Sequence, residues 1–239
     1  MSSRHFVVLA GGLGTRLTSL TGGAVPKILV PVNGRPFLDY KLNSISRMGG
    51  ETVTILLGSG GDQVVEYLSQ SDNSGLHISC IQDGECLLGT GGSIRSALDH
   101  LPDDFWVTYG DSYVIANLDA VDTSRRAARL SATMTVMAND GSLGASNVAV
   151  IGDLVVKYEK TTTSQDLNFI DFGLLYFSRE HFFALPFGAY TDLGDVISML
   201  VTKHALHAYL VGDRFWEIGT PDALRETEKH FQIANILDS

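Results

Sequence analysis

The first 140 residues alternate short apolar runs with amphipathic helical patterns, and this alternation restricts the fold of the 239-residue chain more than any other feature. The runs Phe6–Ala10, Thr52–Leu57 and Phe105–Tyr109 show little polar alternation, which is typical of strands buried on both faces of a sheet. Between the first two, Pro36 opens a pattern with apolar side chains on one helical face, and Gly49 ends it. This order predicts a Rossmann-like α/β fold, with a mostly parallel sheet flanked by helices.

Further elements are predicted along the rest of the chain. The predicted helices are one capped by Asp62, Ser93–Leu98, Leu118–Leu130, Arg179–Leu185, Leu193–His204 and a terminal helix that Thr220 caps and Pro221 begins. The predicted strands are Leu76–Ile81, Thr133–Ala138, Asn147–Ile151, Val155–Glu159, Phe169–Phe177, Leu206–Val211 and Phe215–Ile218. Because several of these late strands are closely spaced, we expect a smaller mixed or antiparallel lobe after residue 140.

The composition argues against several classes of function. Lys and Arg number 17 and Asp and Glu number 27, so the net charge is −10, whereas non-specific binding to nucleic acids or anionic membranes needs a basic surface. No stretch approaches the roughly 18 apolar residues of a membrane span, and Phe6–Ala10 is shorter than the apolar region of a signal peptide. Cys80 and Cys86 do not make a disulfide framework or a zinc site, so we expect reduced thiols in a cytoplasmic protein.

A glycine-rich loop follows the first predicted strand. The segment from residue 9 to residue 17 reads Leu-Ala-Gly-Gly-Leu-Gly-Thr-Arg-Leu, and Pro26-Lys27 comes after it. Ligands of open α/β sheets bind at the carboxyl ends of strands, where glycines let backbone N–H groups approach phosphate oxygens. The loop is not a Walker loop, and Leu17 stands where the dinucleotide fingerprint has its third glycine. Taken alone, the loop fits a tight strand-to-helix turn equally well.

Four more segments accompany this loop along the chain. They are Leu88-Gly-Thr-Gly-Gly-Ser-Ile94, Tyr109-Gly-Asp-Ser112, Val156-Lys-Tyr-Glu-Lys160 and Phe215-Trp-Glu-Ile-Gly-Thr-Pro221. The five segments, in this order, resemble the motifs of the sugar-1-phosphate nucleotidyltransferases: the signature loop, a second nucleotide loop, a metal-binding aspartate, a sugar-phosphate segment and a late metal ligand. The resemblance spans residues 9 to 221 and is greatest to the heptose- and mannose-1-phosphate guanylyltransferases.

The resemblance implies a Mg²⁺-dependent enzyme of nucleotide-sugar and polysaccharide biosynthesis. Such an enzyme transfers a nucleoside monophosphate from a nucleoside triphosphate, here with GTP favoured, to a heptose or mannose 1-phosphate and releases pyrophosphate. Two anions meet in this reaction, so positioning and electrostatic stabilisation supply most of the catalysis. The resemblance also implies a single domain over residues 1–239, with a nucleotide-binding half at 1–140 and a sugar-phosphate-binding lobe with the terminal helix at 141–239.

The resemblance further implies roles for individual residues. Arg16 would stabilise the α-phosphate and the departing pyrophosphate, Lys27 would hold the sugar phosphate, and Asp111 completes the catalytic set. The metal ligands would be Asp111 and Glu217. The nucleotide-binding residues would be Leu9, Ala10, Gly11, Gly12, Gly14, Thr15, Arg16, Gln82, Gly89 and Thr90. The sugar-phosphate-binding residues would be Lys27, Asn147, Glu159, Lys160 and Asp171.

Three positions depart from the family pattern. Glu217 stands where the late metal ligand is often Asp, so the ligand geometry shifts. Thr161 follows Lys160, where the family commonly has Pro. Asp171 replaces an Asn that often precedes the glycine of the sugar-contacting strand, and this change bears on the choice of sugar.

Other functions stay open at this point. The transfer could be of a uridylyl, cytidylyl or thymidylyl group to another sugar 1-phosphate, for example of the muramic-acid type. A relative without activity could bind nucleotide sugars as a regulator, although the presence of Arg16, Lys27 and Asp111 favours an enzyme. A metal site at His204 and His207 lacks a third ligand and is not favoured. The oligomeric state is open, with a homodimer as the first alternative.

Overall fold

The computed structural model describes residues 4–12, 25–71, 75–84, 87–141, 143–160, 164 and 166–237. The strands over these ranges are β1 (His5–Ala10), β2 (Pro31–Val32), β3 (Arg35–Pro36), β4 (Thr52–Leu57), β5 (His77–Gln82), β6 (Asp104–Tyr109), β7 (Ser112–Tyr113), β8 (Ala132–Ala138), β9 (Val148–Ile151), β10 (Leu154–Tyr158), β11 (Phe169–Ser178), β12 (Leu206–Val211) and β13 (Trp216–Glu217). The helices are α1 (Phe37–Arg47), α2 (Gly61–Gln70), α3 (Gly89–Ala97), α4 (Leu118–Ala128), α5 (Leu193–Thr202) and α6 (Pro221–Ala234).

The main sheet is mixed, and its strands follow the order β5-β4-β1-β6-β11-β8-β12-β10-β9 over the described ranges. Strands β1, β4 and β5 are parallel to one another, and so are β8 and β12. Strand β11 runs antiparallel to β8, and β10 runs antiparallel to β9 and β12. The predicted α/β class is confirmed. Strands β9 to β11 follow residue 140, whereas β8, the antiparallel partner of β11, and the short antiparallel pair β2–β3 precede it.

Burial explains why the strand predictions succeeded. Strands β1, β4 and β8 are buried along nearly their whole length, so their sequences are mostly apolar, and Thr54, Thr133 and Thr135 within them are buried as well. Strand β5 lies at the edge of the sheet, and its exposed and half-buried positions are mixed. The ten predicted strands agree with the structure to within about one residue, whereas the two-residue strands β2, β3 and β7 were not predicted.

Three helix predictions differ from the structure. Helix α3 begins at Gly89, four residues before the predicted start at Ser93, because Gly91 and Gly92 both donate N–H bonds to the Thr191 carbonyl, at 2.9 and 3.0 Å. Helix α2 begins at Gly61 after Gly60, so Asp62 lies in the first turn and is not the cap. The predicted helix Arg179–Leu185 is a short 3₁₀ helix at Arg179–Phe182.

The terminal helix has the predicted start. The Thr220 hydroxyl accepts a hydrogen bond from the Ala223 N–H at 3.2 Å, and Pro221 occupies the first helical position. Phe231 of α6 packs its ring against Tyr40 and Tyr113, with ring centroids 4.6 and 4.8 Å apart. This contact anchors α6 to the part of the chain that carries β7.

The contacts divide the chain into two compact units. The first unit comprises residues 1–87, 108–115 and 215–239, and the second comprises residues 88–107 and 116–214. The first unit contains β1, β4, β5, α1, α2 and α6, and the second contains α3 to α5 and β8 to β12. The boundary predicted at residue 140 stays a prediction. Within the described ranges, no helix combines the length and the apolar character that crossing a membrane requires.

Candidate active site

In the first unit, Asp111 lies in a tight connection between two strands. Strand β6 ends at Tyr109, and β7 begins at Ser112 and pairs antiparallel with β13. Glu217 of β13 lies opposite Ser112, and the Ile218 N–H donates to the Asp111 carbonyl at 3.0 Å. The two residues predicted as metal ligands, Asp111 and Glu217, thus lie on adjacent backbone segments, although 106 positions separate them in the sequence.

Gly110 fixes this connection against the end of β1. Its N–H donates to the Leu9 carbonyl at 2.9 Å, and a Cβ atom at Gly110 would lie 2.8 Å from that oxygen. Only glycine permits so close an approach of two backbones. The connection therefore brings Asp111 next to Leu9 and Ala10, where the glycine-rich loop begins.

Lys27 pairs directly with Asp111. Its Nζ donates to Asp111 Oδ2 at 2.5 Å, and the two side chains are 14% and 30% exposed. Burial raises the pKa of Asp111. The Lys27 ammonium, the Ser112 hydroxyl and the charge of Lys41 lower it by more than burial raises it, so the pKa of Asp111 lies below its usual value. Asp111 is consequently ionised at neutral pH, and Lys27 is the cation with which it pairs.

Lys41 is a residue near this site that the sequence interpretation missed. It is fully buried, and its Nζ donates to Thr108 Oγ1 at 2.7 Å and to the Ser112 carbonyl. Burial lowers the pKa of Lys41 to about 7, and the Asp111 charge opposes that change. A signal was present, because Lys41 lies in the apolar stripe of α1 formed by Leu38 and Ile45, where a charged residue is unusual.

The donor chemistry of this region fits a hard divalent cation. Among the described residues, no three His, Cys, Asp or Glu side chains group into a metal site. Asp111 and Glu217 offer carboxylate oxygens only, which suit Mg²⁺ better than zinc or another soft metal. Mg²⁺ typically takes one or two carboxylates and completes its shell with phosphate oxygens and water. These two residues would hold such an ion together with a bound substrate.

The remaining predicted nucleotide-binding residues of the first unit are only partly described. Leu9 and Ala10 end β1, and Gly11 and Gly12 follow. Gly14, Thr15 and Arg16 lie outside the described residues. Gln82 ends β5, and its amide donates to Asp62 Oδ1 at 2.8 Å, which ties it to the first turn of α2.

In the second unit, Gly89 and Thr90 begin α3. The Thr90 hydroxyl accepts from the Leu193 N–H at 2.8 Å, and the Thr191 N–H donates to the Leu88 carbonyl, also at 2.8 Å. The Thr191 carbonyl also accepts hydrogen bonds from the N–H groups of Gly91 and Gly92. The second predicted nucleotide loop is therefore fixed to the start of α5, and part of its hydrogen-bonding capacity is already used.

Lys160 lies at the N-terminus of α5. Its ammonium pairs with the carboxylate of Asp192, which caps that helix by accepting the Gly194 N–H at 2.6 Å. The Lys160 side chain is 43% exposed, so a ligand can reach it. The anion at this helix N-terminus is the Asp192 carboxylate, and Asp195 adds a second carboxylate in the first turn. Asp192 is a second residue that sequence interpretation missed, and its position before an apolar helical pattern was the available signal.

Asn147, Glu159 and Asp171 lie close together on neighbouring segments of the second unit. The Glu159 N–H donates to the Asn147 carbonyl at 2.9 Å, and Asn147 Oδ1 accepts the Asp171 N–H at 2.9 Å. Glu159 Oε1 pairs with Lys157 at 3.3 Å, while Oε2 is buried and has no hydrogen-bond partner among the described residues. A buried acceptor of this kind suits a sugar hydroxyl. The structure thus brings together three of the predicted sugar-phosphate-binding residues.

The Asp171 side chain also forms a hydrogen bond within its own strand, β11. Its Oδ1 accepts the Gly173 N–H at 2.9 Å, where the pairing of β11 with β8 shifts register. Gly173 has a φ of +86°, which glycine adopts without strain. The acid therefore stabilises a β-bulge in the strand that sequence reasoning expected to contact the sugar.

A cleft of about 780 Å³ opens in the second unit beside the ends of β8 and β12. Residues from both strands, from the segments after them and from the position before β11 line it: Met137, Ala138, Asn139, Asp140, Leu143, Asn168, Leu210, Val211, Gly212 and Arg214. No predicted sugar-phosphate-binding residue is among them. The volume alone assigns no ligand to the cleft.

In the first unit, Gly11 and Gly12 after β1 and the Lys27–Asp111 pair beside the end of β6 place the chain in the class of open α/β proteins that bind ligands at the carboxyl ends of strands. Within that class, the chain belongs to the nucleotidyl transferase family, whose model matches residues 5–232. The chain is accordingly a transferase by family.

Individual relatives agree with this assignment. The D-glycero-alpha-D-manno-heptose 1-phosphate guanylyltransferase of Campylobacter jejuni is 25% identical over 229 residues, which are 96% of this chain and 99% of that protein. The bifunctional protein GlmU of Marinobacter nauticus is 30% identical over 192 residues, 76% of this chain, but the match covers only 39% of GlmU. The crystal structure of HddC from Yersinia pseudotuberculosis has a TM-score of 0.81 at 24% identity, over 95% of this chain and 99% of that one, and therefore has the same fold.

Proposed function

We propose that the protein transfers a nucleoside monophosphate from a nucleoside triphosphate to a sugar 1-phosphate, releases pyrophosphate and requires Mg²⁺. The observation that carries this proposal is the Lys27–Asp111 ion pair beside the start of the glycine-rich loop. It provides a cation for a phosphate and an ionised carboxylate for a metal at the carboxyl ends of strands. Family membership over residues 5–232 supports the same reaction type.

The first unit would bind the nucleotide and the metal. The backbone of Leu9 to Gly12 would approach the nucleotide, and Asp111 with Glu217 would hold Mg²⁺. When bound, the ion would neutralise the charge that develops on the phosphates. Lys27 would leave Asp111 and turn to the incoming sugar phosphate. Arg16 stays a prediction of the sequence for the departing pyrophosphate.

The second unit would bind the sugar 1-phosphate. Lys160 would leave Asp192 and bind the phosphate, and the buried Oε2 of Glu159 would accept a hydroxyl hydrogen of the sugar. Asn147 and Asp171 would orient the sugar. Asp171 would use its Oδ2 for this, because its Oδ1 already accepts a hydrogen bond from the Gly173 N–H.

We further propose GTP and a heptose or mannose 1-phosphate as the substrates. Support comes from the C. jejuni relative, which is named a heptose 1-phosphate guanylyltransferase and aligns along almost all of both chains. A cytoplasmic location and a homodimer stay predictions of the sequence.

A substrate matrix tests the proposed reaction. GTP, UTP, CTP and dTTP are each combined with the 1-phosphates of heptose, mannose, glucose and a muramic-type sugar, and pyrophosphate release is measured with and without Mg²⁺. We expect release only when both substrates and Mg²⁺ are present, and the fastest release with GTP and a heptose or mannose 1-phosphate. Release with another pair would correct the substrates, and no release from any pair would favour a binding protein without this activity.

The variant Asp111→Asn tests the site within the same assay. The amide keeps the size of the side chain but removes the charge that a metal needs, so Mg²⁺-dependent release should be abolished. Asp153→Asn, at an exposed turn of the second unit, changes the net charge equally and should retain activity. Unchanged metal dependence in Asp111→Asn would place the metal elsewhere.

A further inference from the structure

The ammonium of Lys41 bridges the two ends of the segment that contains Asp111. Thr108 Oγ1, at 2.7 Å, lies near the end of β6, and the Ser112 carbonyl belongs to the first residue of β7. Lys41 is 0% exposed, so its charge has lost all contact with water. Burial of a charge is costly, and an apolar side chain in this apolar stripe of α1 would avoid that cost. The two hydrogen bonds indicate what the buried charge stabilises.

The same segment is fixed on its other sides by backbone hydrogen bonds. Gly110 donates to the Leu9 carbonyl at 2.9 Å, and Ile218 donates to the Asp111 carbonyl at 3.0 Å. These bonds connect it to β1 and to the residue after β13. Lys41 supplies the remaining connection, to α1. The backbone of Asp111 is therefore held from three directions.

We propose that Lys41 is a positioning residue, which fixes the segment from Thr108 to Ser112 so that the Asp111 carboxylate keeps the direction that a bound metal requires. The inference rests on the proposed function, since it takes Asp111 as the metal ligand. Residues that orient a metal ligand typically change metal affinity or activity by 10- to 100-fold when they are removed.

Lys27 and Lys41 act on Asp111 in different ways. Lys27 donates to the carboxylate oxygen, where it competes with a metal, whereas Lys41 donates to a hydroxyl and a backbone carbonyl. If Lys41 acted only through its charge, its removal would strengthen the binding of a cation. If Lys41 acts by position, its removal weakens that binding. The two explanations therefore predict opposite signs.

The binding of Mn²⁺ alone distinguishes them without any need for turnover. Free Mn²⁺ is followed by electron paramagnetic resonance in the wild type, Lys41→Met and Ser44→Ala. Ser44 is the matched control, because it is buried on the same helix and its hydroxyl donates to the Lys41 carbonyl at 2.7 Å, away from the Asp111 segment. We expect Lys41→Met to weaken Mn²⁺ binding by about 10-fold or more, and Ser44→Ala to bind as the wild type does.

A second variant tests the proposal in case Lys41→Met does not fold. Thr108→Val has nearly the same shape and removes one acceptor while the lysine stays, so we expect weaker Mn²⁺ binding by a smaller factor. In the turnover assay, both variants should need more Mg²⁺ for half-maximal rate at an unchanged KM for the sugar phosphate, which a general loss of stability would not produce.

Each outcome decides the proposal. Unchanged or tighter Mn²⁺ binding in folded Lys41→Met overturns it, and if that variant does not fold, wild-type affinity in Thr108→Val overturns it. If Asp111→Asn binds Mn²⁺ as the wild type does, Asp111 is not the ligand and the role of Lys41 falls with it. A wild-type protein that releases no pyrophosphate rejects the proposed reaction but leaves the Mn²⁺ comparison valid, so the two failures are distinguishable.

Discussion

Lys27 is a competitor for the same carboxylate that the proposed metal needs. Its Nζ lies 2.5 Å from Asp111 Oδ2, and both side chains are largely shielded from water. Lys27→Met should therefore bind Mn²⁺ more tightly than the wild type, by roughly threefold to tenfold, since a direct charge competitor is gone. The same variant should lose most turnover, because the sugar phosphate loses its cation.

The control for this prediction is Lys203→Met, which changes the net charge equally at an exposed position after α5. Its Mn²⁺ affinity should equal that of the wild type. Weaker Mn²⁺ binding in Lys27→Met would contradict the competition and would mean that Lys27 helps to position Asp111.

Single residues were predictable from the sequence only where a motif contained them. Asp111 and Lys27 were both assigned by resemblance, but their ion pair was not, because 84 positions separate them and only the fold brings them together. Lys41 belongs to no motif, and its role depends on contacts with Thr108 and Ser112, which no local pattern reveals. Asp171 was expected to face the sugar, and its contact with Gly173 became visible only with the β-bulge.

At the level of elements, α3 is packed against backbone with no spare room. A Cβ atom at Gly92 would lie 2.6 Å from the carbonyl oxygen of Ala189. We expect Gly92→Ala to lower the free energy of unfolding by roughly 1–2 kcal/mol, because the overpacking exceeds the ~1 kcal/mol that alanine gains in a helix. Gly212→Ala, where nothing lies within 4 Å of the added atom, should change it by less than about 0.5 kcal/mol.

Urea unfolding of both variants measures this difference. Equal stability of Gly92→Ala and the wild type would mean that the backbone around Ala189 moves to accommodate the added methyl group without loss of stability. Such a result would contradict a rigid connection between α3 and the start of α5.

Elements were predictable where their own sequence sufficed. Strands β4 and β12 have the predicted bounds, since each is a short apolar run that ends at a glycine. Helix α3 was placed four residues too late because glycines disfavour helices locally. Its first turn is stabilised by the Thr191 carbonyl, about 100 residues away, and a tertiary contact of that kind is invisible to local propensity.

For the whole molecule, the dependence of stability on pH follows from three histidines: His207 is fully buried, and His5 and His181 are partly buried. Burial lowers the pKa values of His5, His181 and His207 below 6.5, and the nearby Asp153 only partly opposes this at His207. The unfolded chain then binds more protons than the folded protein between the lowered values and 6.5. Their contribution to stability is fully present above about pH 6.5 and is lost as the pH falls, by up to ~1.4 kcal/mol per pH unit for each histidine.

Urea unfolding at pH 7.5 and pH 5.5 measures this effect. We expect a lower free energy of unfolding at pH 5.5, and a smaller difference in His207→Gln, which cannot take up a proton. His207 contacts the Ser124 and Thr133 hydroxyls, which a glutamine amide can still bond. A stability that does not change between the two pH values would show that these histidines titrate alike in the folded and unfolded chains.

The ion pair of Lys27 and Asp111 also bears on how the protein can be handled. Without a metal, the charge of the Asp111 carboxylate is compensated by Lys27, so the fold does not need a metal ion at this position. Unlike a zinc finger, whose chain unfolds when the ion is removed, this protein should keep its fold and its melting temperature in EDTA. Purification in a chelator would then yield a clean starting state, to which any chosen divalent ion could be added back.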